Sequence, residues 1–251
     1  MRLPISNTRH RSHTWAAAAC SLLAAFVLAA PASGQTPPAI QENRALHIGI
    51  IGAGNMGAPL GLGFAAAGHQ VMWASRSPEE LMELVQQAAP RASAGYADAA
   101  AYFGDVVVLA VPPSAIPGLG RDIGELLRGK IVIDITNPRA DRDGEITNEW
   151  LEMGTGEAMA EYLPGTRFVK AFNTVIPRFF ENPVVDGVRV GVPIASDDVQ
   201  AADVVADLVR DMGLEPVYAG PLARAKDFDR GSPIWVTGAG AAEIRETLGL
   251  R

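Results

Sequence analysis

Residues Leu46 to Gly57 read LHIGIIGAGNMG. An apolar run from Leu46 to Ile51 stops at Gly52-Ala53-Gly54-Asn55-Met56-Gly57, and an alanine-rich segment of helical composition continues to Gly68. The order is strand, glycine turn, helix. Gly52 permits the tight turn, Gly54 lets the backbone approach a pyrophosphate, and Gly57 lets helix and strand pack closely. Backbone N–H groups at the helix start favour phosphate, and Asn55 is placed to cap that helix. A lone glycine pattern is weak, because many such loops only turn the chain. The flanking strand and helix make dinucleotide binding the reading here. A second register, Gly57-x-x-x-Gly61-x-Gly63, falls inside the helix, where its glycines would thin the face packed on the sheet.

Outward from this stretch, strand and helix signals alternate. Gln70 to Ala74 reads as a second strand. Ser77-Pro78-Glu79-Glu80 then opens a helix, with serine at the cap, proline first and glutamate three residues on. A short third strand, Arg91 to Gly95, precedes a helix at Asp98 to Phe103 and a valine-rich fourth strand at Asp105 to Val111. Pro112-Pro113-Ser114 starts a helical segment ending near Gly129. Lys130 to Ile135 is the fifth strand, Glu157 to Leu163 a helix and Arg167 to Ala171 the sixth strand. Strand Val188 to Ala195, helix Asp197 to Met212 and strand Glu215 to Ala219 follow. This alternation predicts the α/β class: a Rossmann-like, doubly wound, mostly parallel sheet with helices on both faces. The expected organisation is a signal peptide over 1–34, a linker over 35–45, an NADP-binding Rossmann domain over 46–220 and a C-terminal extension over 221–251.

Composition narrows the function. With 251 residues, 48% of them apolar, the chain can build one large domain or two small ones. The net charge is −7, and residues 1–34 contain three arginines and no acid, so the remainder is more acidic still. Such a body is not expected to seek nucleic acid or anionic membrane. The single cysteine, Cys20, falls in the leader, which leaves the rest of the chain no thiol nucleophile, disulfide or thiolate metal site. His47 and His69 stand alone, so no metal site is expected, and His69 reads as a structural or helix-terminus residue.

Met1 to His13 is basic through Arg2, Arg9 and Arg11, Trp15 to Ala30 is apolar, and Pro31-Ala32-Ser33-Gly34 offers cleavage after Ala32 or Gly34. This is the layout of a signal peptide. It predicts an exported, periplasmic protein without stable membrane insertion once the leader is removed; a leader that is not used would leave the protein in the cytoplasm. An uncleaved anchor is the competing reading. Arg9-His10-Arg11 lacks an adjacent arginine pair, so export of a cofactor-loaded fold has no evident route.

At the end of the second strand, where an NAD-preferring domain places Asp or Glu, the sequence has Ala74-Ser75-Arg76-Ser77. The Arg76 guanidinium suits a 2′-phosphate, so NADP is favoured. Ligands of open parallel sheets bind beyond the carboxyl ends of the strands. That singles out Val111-Pro112-Pro113, Thr136-Asn137-Pro138 and Phe172-Asn173-Thr174.

The stretches IGIIGAGNMG, Ser75-Arg76-Ser77, DVVVLAVP, KIVIDITNP, VKAFNT and AGPLARA span nearly all of Leu46 to Ala225. In these the sequence resembles the NADP-dependent oxidoreductases that use coenzyme F-420, a deazaflavin, and the related reductase domain of the six-transmembrane metalloreductases. The resemblance implies that the second turn binds the 2′-phosphate and that the loops after the fourth and sixth strands frame the nicotinamide and an acceptor ring. The candidate cofactor-binding residues are therefore Gly52, Gly54, Asn55, Met56, Gly57, Ser75, Arg76, Ser77, Val111 and Pro112. The candidates at the reacting end are Asn137, Phe172, Asn173 and Thr174. The tail from Lys226 departs from the family pattern.

Pyrroline-5-carboxylate reductase and the β-hydroxyacid dehydrogenases share the G-x-G-x-M-G turn but append a helical domain, for which only Pro221 to Arg251 remains. A short-chain dehydrogenase is excluded, because none of Tyr96, Tyr102, Tyr162 or Tyr218 has lysine four residues on. The expected function is hydride transfer between NADP(H) and a small-molecule redox acceptor: a deazaflavin, a flavin or a ferric species. No acid–base pair is evident, as ring-to-ring hydride transfer allows. The alternatives are a non-catalytic NADP-binding sensor or scaffold, and a pyrroline-5-carboxylate reductase-like dehydrogenase without its helical domain. A homodimer is left open.

Overall fold

The computed structural model describes residues 45–251; the leader and linker assignments lie outside them. The strands are β1 His47–Ile51, β2 Gln70–Ala74, β3 Ala92–Gly95, β4 Val106–Leu109, β5 Ile131–Asp134, β6 Arg167–Lys170, β7 Val184–Val185, β8 Val188–Arg189, β9 Gly191–Ala195 and β10 Glu215–Gly220. The helices are α1 Gly57–Ala66, α2 Met82–Gln87, α3 Ala97–Phe103, α4 Ile116–Leu127, α5 Ala140–Asp143, α6 Ile146–Met153, α7 Thr155–Ala160, α8 Arg178–Glu181, α9 Val199–Asp211 and α10 Ala241–Thr247. Eight strands form one sheet in the order β10-β9-β6-β5-β4-β1-β2-β3. From β3 to β6 all neighbours are parallel, while β9 runs antiparallel to β6 and β10 parallel to β9. The strand order reverses between β1 and β4, which makes that crevice the expected ligand position.

The central strands are apolar on both faces because both faces are covered. Ile48, Ile50, Val106, Val108 and Ile133 join Phe64 of α1 and Val205 of α9 in one core. Val107, Leu109 and Val132 point the other way, to Ala100 of α3, Ile123 of α4 and Met159 of α7. A third cluster joins β9 and β10 to the C-terminal segment through Phe228, Ile234 and Ile244.

Buried polar groups tie the layers. His69 Nδ1 accepts from Leu46 N at 3.2 Å and Nε2 bonds Asp211 at 3.0 Å, so this structural histidine clamps the entry of β1 to the end of α9. Lys130 Nζ donates to the carbonyls of Ala101, Tyr102 and Gly104, satisfying the end of α3.

Four local expectations are corrected. Asn55 does not cap α1; Met56 occupies that position and no side chain caps it. Ser77 occupies the cap position of the turn at Pro78–Leu81 without a side-chain bond, and Ser75 Oγ instead accepts from Ser77 N at 3.1 Å. The predicted strand Val188 to Ala195 divides into β8 and β9 at Val190, whose N–H donates to Pro183 O at 2.8 Å on the β7 side while its carbonyl accepts from Glu215 N at 2.9 Å on the β10 side. The predicted helix at Glu157 begins earlier, at Thr155, whose N–H and hydroxyl both bond Asp229 of the C-terminal segment. That cap lies 74 residues away and could not be read locally.

Candidate functional site

The glycine loop shows why each glycine stands where it does. Gly52 has φ +105°, a left-handed conformation that side chains resist, and its N–H donates to Ala74 O at 3.0 Å. A Cβ on Gly57 would lie 1.9 Å from Gly52 O, and Trp73 Nε1 donates to Gly57 O at 2.9 Å. Around Gly54, in contrast, nothing lies within 4 Å of where a Cβ would be. The loop is jammed where it crosses the sheet and open where a phosphate would approach, directly ahead of α1. Asn55 is exposed and Met56 half-buried. In the second register, Gly61 faces the Trp73 indole of β2 as expected, whereas Gly63 faces Met212 beyond α9.

A cleft of about 760 Å³ lies at the switch point. It is lined by Gly52 and Ala53, by Ser75 and Arg76, and by Val111 and Pro112. Cofactor-binding candidates from three separate strand ends therefore meet in one place. Arg76 is exposed and makes no ion pair among the described residues. Asp98 and Asp122 line the same cleft, two carboxylates that sequence reading did not place there.

The second group of candidates gathers beyond β5 and β6, outside the lining of that cleft. Asn137 Nδ2 donates to Asn173 O at 2.8 Å, and Asn173 Nδ2 donates to Phe228 O at 3.1 Å. Val236 N donates to Thr174 O at 3.0 Å, so the C-terminal segment covers this end. The Oδ1 atoms of Asn137 and Asn173 and the hydroxyls of Thr136 and Thr174 are buried without partners, as are Ser232 Oγ and Trp235 Nε1. Buried polar atoms are normally bonded, and here six unpartnered ones fall on three adjoining segments.

Phe172 requires a correction. Its side chain is fully buried and packs edge-on against Phe64 at 6.2 Å and Phe180 at 6.4 Å, inside the core and not toward a cofactor ring. What it contributes is backbone: φ is +58°, strained for a side-chain-bearing residue, and this turn delivers Asn173 and Thr174.

Charged residues that sequence reading missed hold these loops. Asp143 accepts from Ser114 Oγ at 2.9 Å and from Arg139 N at 2.8 Å, joining the loop after β4 to the loop after β5. Burial opposes its charge, but the Arg142 guanidinium, the Arg139 N–H and the Ser114 hydroxyl together hold the carboxyl below its usual range. Arg142 Nη2 also donates to Asn137 O at 2.7 Å. Asp134 and Lys170 are opposed in register at the ends of β5 and β6, fully buried, with Nζ 2.9 Å from Oδ2. The signal was present: IVID and RFVK each end an apolar run on a charge of opposite sign.

Residues 47–138 match the family model described as NADP oxidoreductase coenzyme F420-dependent. The F420-dependent NADP reductase of Methanothermobacter thermautotrophicus is 30% identical over 206 residues, covering 76% of this chain and 88% of that one. The chain belongs to the F420-dependent NADP reductase family. Metalloreductase STEAP3 of Rattus norvegicus is 27% identical over 182 residues, which cover 72% of this chain and 35% of that protein. The chain thus spans about a third of the length of the metalloreductases it matches. A crystal structure from Arthrobacter sp. FB24 superposes with a TM-score of 0.65 at 24% identity, covering 72% of this chain and 88% of that one, and shows the shared fold. The match to the family model ends at Pro138, so Asn173, Thr174 and the C-terminal cover lie beyond it.

Proposed function

We propose that the chain is an NADP(H)-dependent oxidoreductase that exchanges hydride between NADPH and a planar ring acceptor, a deazaflavin first and a flavin second; a ferric chelate, the remaining candidate acceptor, takes one electron at a time, so two ferric ions would be reduced and one proton released per NADPH oxidised. The observation that carries this reading is the open position over Gly54 beside the cleft that reaches Arg76. The backbone at Gly54 and the start of α1 would hold the pyrophosphate, and Arg76 the 2′-phosphate. Asp98 and Asp122 offer acceptors to ribose or adenine donors. Bound NADPH supplies the hydride. Asn137 and Asn173 have committed Nδ2 to backbone carbonyls and leave Oδ1 buried without a partner, an acceptor that a carboxamide NH₂ would satisfy. Asp134 and Lys170 are spent on each other and on Thr136, so orientation of the two rings, and not proton transfer, is the contribution of the protein. Relatives named F420-dependent NADP reductase and metalloreductase support the reductase reading.

Stopped-flow oxidation of NADPH with coenzyme F-420, FMN and a ferric chelate tests it. Turnover with at least one acceptor is expected; no rate above buffer with any of them leaves an NADP-binding sensor or scaffold. Arg76→Ala should weaken NADPH by about ten- to a hundredfold, the worth of a charge-assisted bond, and leave NADH unchanged. Equal affinities of the wild type for the two cofactors would remove the 2′-phosphate assignment. We also propose that residues 1–34 export the protein and are removed; a full-length intact mass would show that they are retained.

A further inference from the structure

Asp134 and Lys170 are the most costly groups placed near the reacting end. They face each other across β5 and β6 with no exposure, in a layer otherwise built from Val132, Phe168 and Leu109. Two apolar side chains would fill such a site at least as well, since a buried ion pair seldom stabilises a fold more than good packing does. What apolar residues could not do is hold the next stretch of backbone. Lys170 Nζ donates to Thr136 O at 2.6 Å, and Asp134 Oδ1 accepts from Thr136 N at 2.8 Å. The pair therefore takes both backbone groups of Thr136, just where the chain leaves the sheet. The next residue is Asn137, whose own carbonyl is held by Arg142 and whose side chain reaches Asn173 O.

We propose that Asp134 and Lys170 are positioning residues: through Thr136 they set Asn137, and through Asn137 the nicotinamide end of the cofactor. This rests on the hydride-transfer reading for its consequence in turnover, but not for its consequence in geometry. The pair has no exposure, and among the described residues its side chains bond only to each other and to Thr136. It is a fixed mount beneath the loop, an acceptor and a donor held side by side that grip both backbone groups of one residue.

The test replaces both residues in the full chain, Asp134→Leu with Lys170→Met, so that no lone charge is buried. The midpoint of thermal unfolding should be at least that of the wild type, and the affinity for 2′,5′-ADP, which lacks nicotinamide, should hold within about twofold, because the phosphate end is remote. In NMR spectra of bound NADP⁺ the nicotinamide protons should shift while the adenine protons do not. Turnover should fall about a hundredfold, as a displacement of about 1 Å can cause, with KM for NADPH little changed. A second variant, Asp134→Asn with Lys170→Gln, keeps an acceptor and a donor and should restore the nicotinamide shifts. Wild-type nicotinamide shifts and turnover in the Leu/Met protein would overturn the proposal, and so would its failure to fold, which would make the pair a requirement of the core. If the wild type itself transfers no hydride, the reductase reading fails and the nicotinamide shifts alone decide this one.

Discussion

The two halves of the site are built on opposite plans. Around Gly52 to Gly57 the protein offers backbone: a left-handed glycine, a forced close approach, and open space over Gly54, with Arg76 exposed at the far edge. Beyond β5 and β6 it offers side chains, buried and cross-linked. Asp134, Asn137, Asp143, Lys170 and Asn173 bond to partners on other loops, and Phe228 of the C-terminal segment closes the set. The glycine loop of the first half is six consecutive residues, Gly52 to Gly57. The second spans bonds of 29, 36 and 55 residues. A phosphate is recognised by N–H groups and a dipole that any glycine turn before a helix supplies. A nicotinamide must be oriented, and orientation demands atoms held from several directions.

The contrast can be broken by mutation. The largest effect is expected at Lys170→Met alone, which leaves Asp134 buried without its cation. Urea unfolding should show a loss of about 3–5 kcal/mol, and a loss under 1 kcal/mol would mean that the pair is not as buried as it stands here. The glycine loop should respond in two separable ways. Gly57→Ala pushes a methyl into Gly52 O and should cost about 1–3 kcal/mol of stability, as overpacking does. Gly54→Ala meets nothing in the protein, so the melting temperature should stay put while NADPH affinity falls about tenfold, or about 1.4 kcal/mol. If the Gly54 variant binds NADPH normally, the open position is not the phosphate cradle.

The smallest effect belongs to a pair outside both halves. Arg167 Nε and Nη2 donate to Asp198 at 2.6 and 3.1 Å, and Asp198 also caps α9 by accepting from Ala201 N. The guanidinium, with the Ala201 N–H, lowers the Asp198 carboxyl from 3.8 to about 2. Because the folded value lies below the unfolded one, the charge contributes stability above about pH 4 and loses it as pH falls toward 2. Both side chains are about a third exposed, so solvent screening keeps the worth of the pair below about 1 kcal/mol. Comparing urea midpoints of the wild type and Asp198→Asn at pH 6 and pH 2 should show a small gap that closes in acid. A gap that widens would reverse the sign of the linkage.

The α/β alternation, the parallel order and the glycine crossing were legible because they follow from short-range pattern: apolar runs of strand length, helical spacing and turn residues between them. Boundaries of β2 and β6 were readable to within a residue for the same reason. Capping was not. Asn55 and Ser77 have the right chemistry in the right places, yet α1 starts with no side-chain cap, and Ser77 offers no hydroxyl to its turn while its own N–H donates to Ser75 Oγ. Local propensity states what a residue can do and leaves open which neighbour does it first.

By itself the sequence determined that a dinucleotide-type crossing begins at Gly52, that a guanidinium waits at the end of β2, and that Asn137, Asn173 and Thr174 stand at strand ends. Only the tertiary structure decided which of these meet. Strand register placed Asp134 opposite Lys170, since two runs 36 residues apart carry no local mark of their alignment. The left-handed backbone at Phe172 sent that ring into the core and turned Asn173 toward Phe228. The C-terminal segment supplied the cover and the Asp229 cap that no pattern in residues 155–160 announces. Short-range chemistry is written in neighbouring residues, whereas long-range contacts exist only after packing has chosen one alignment among many.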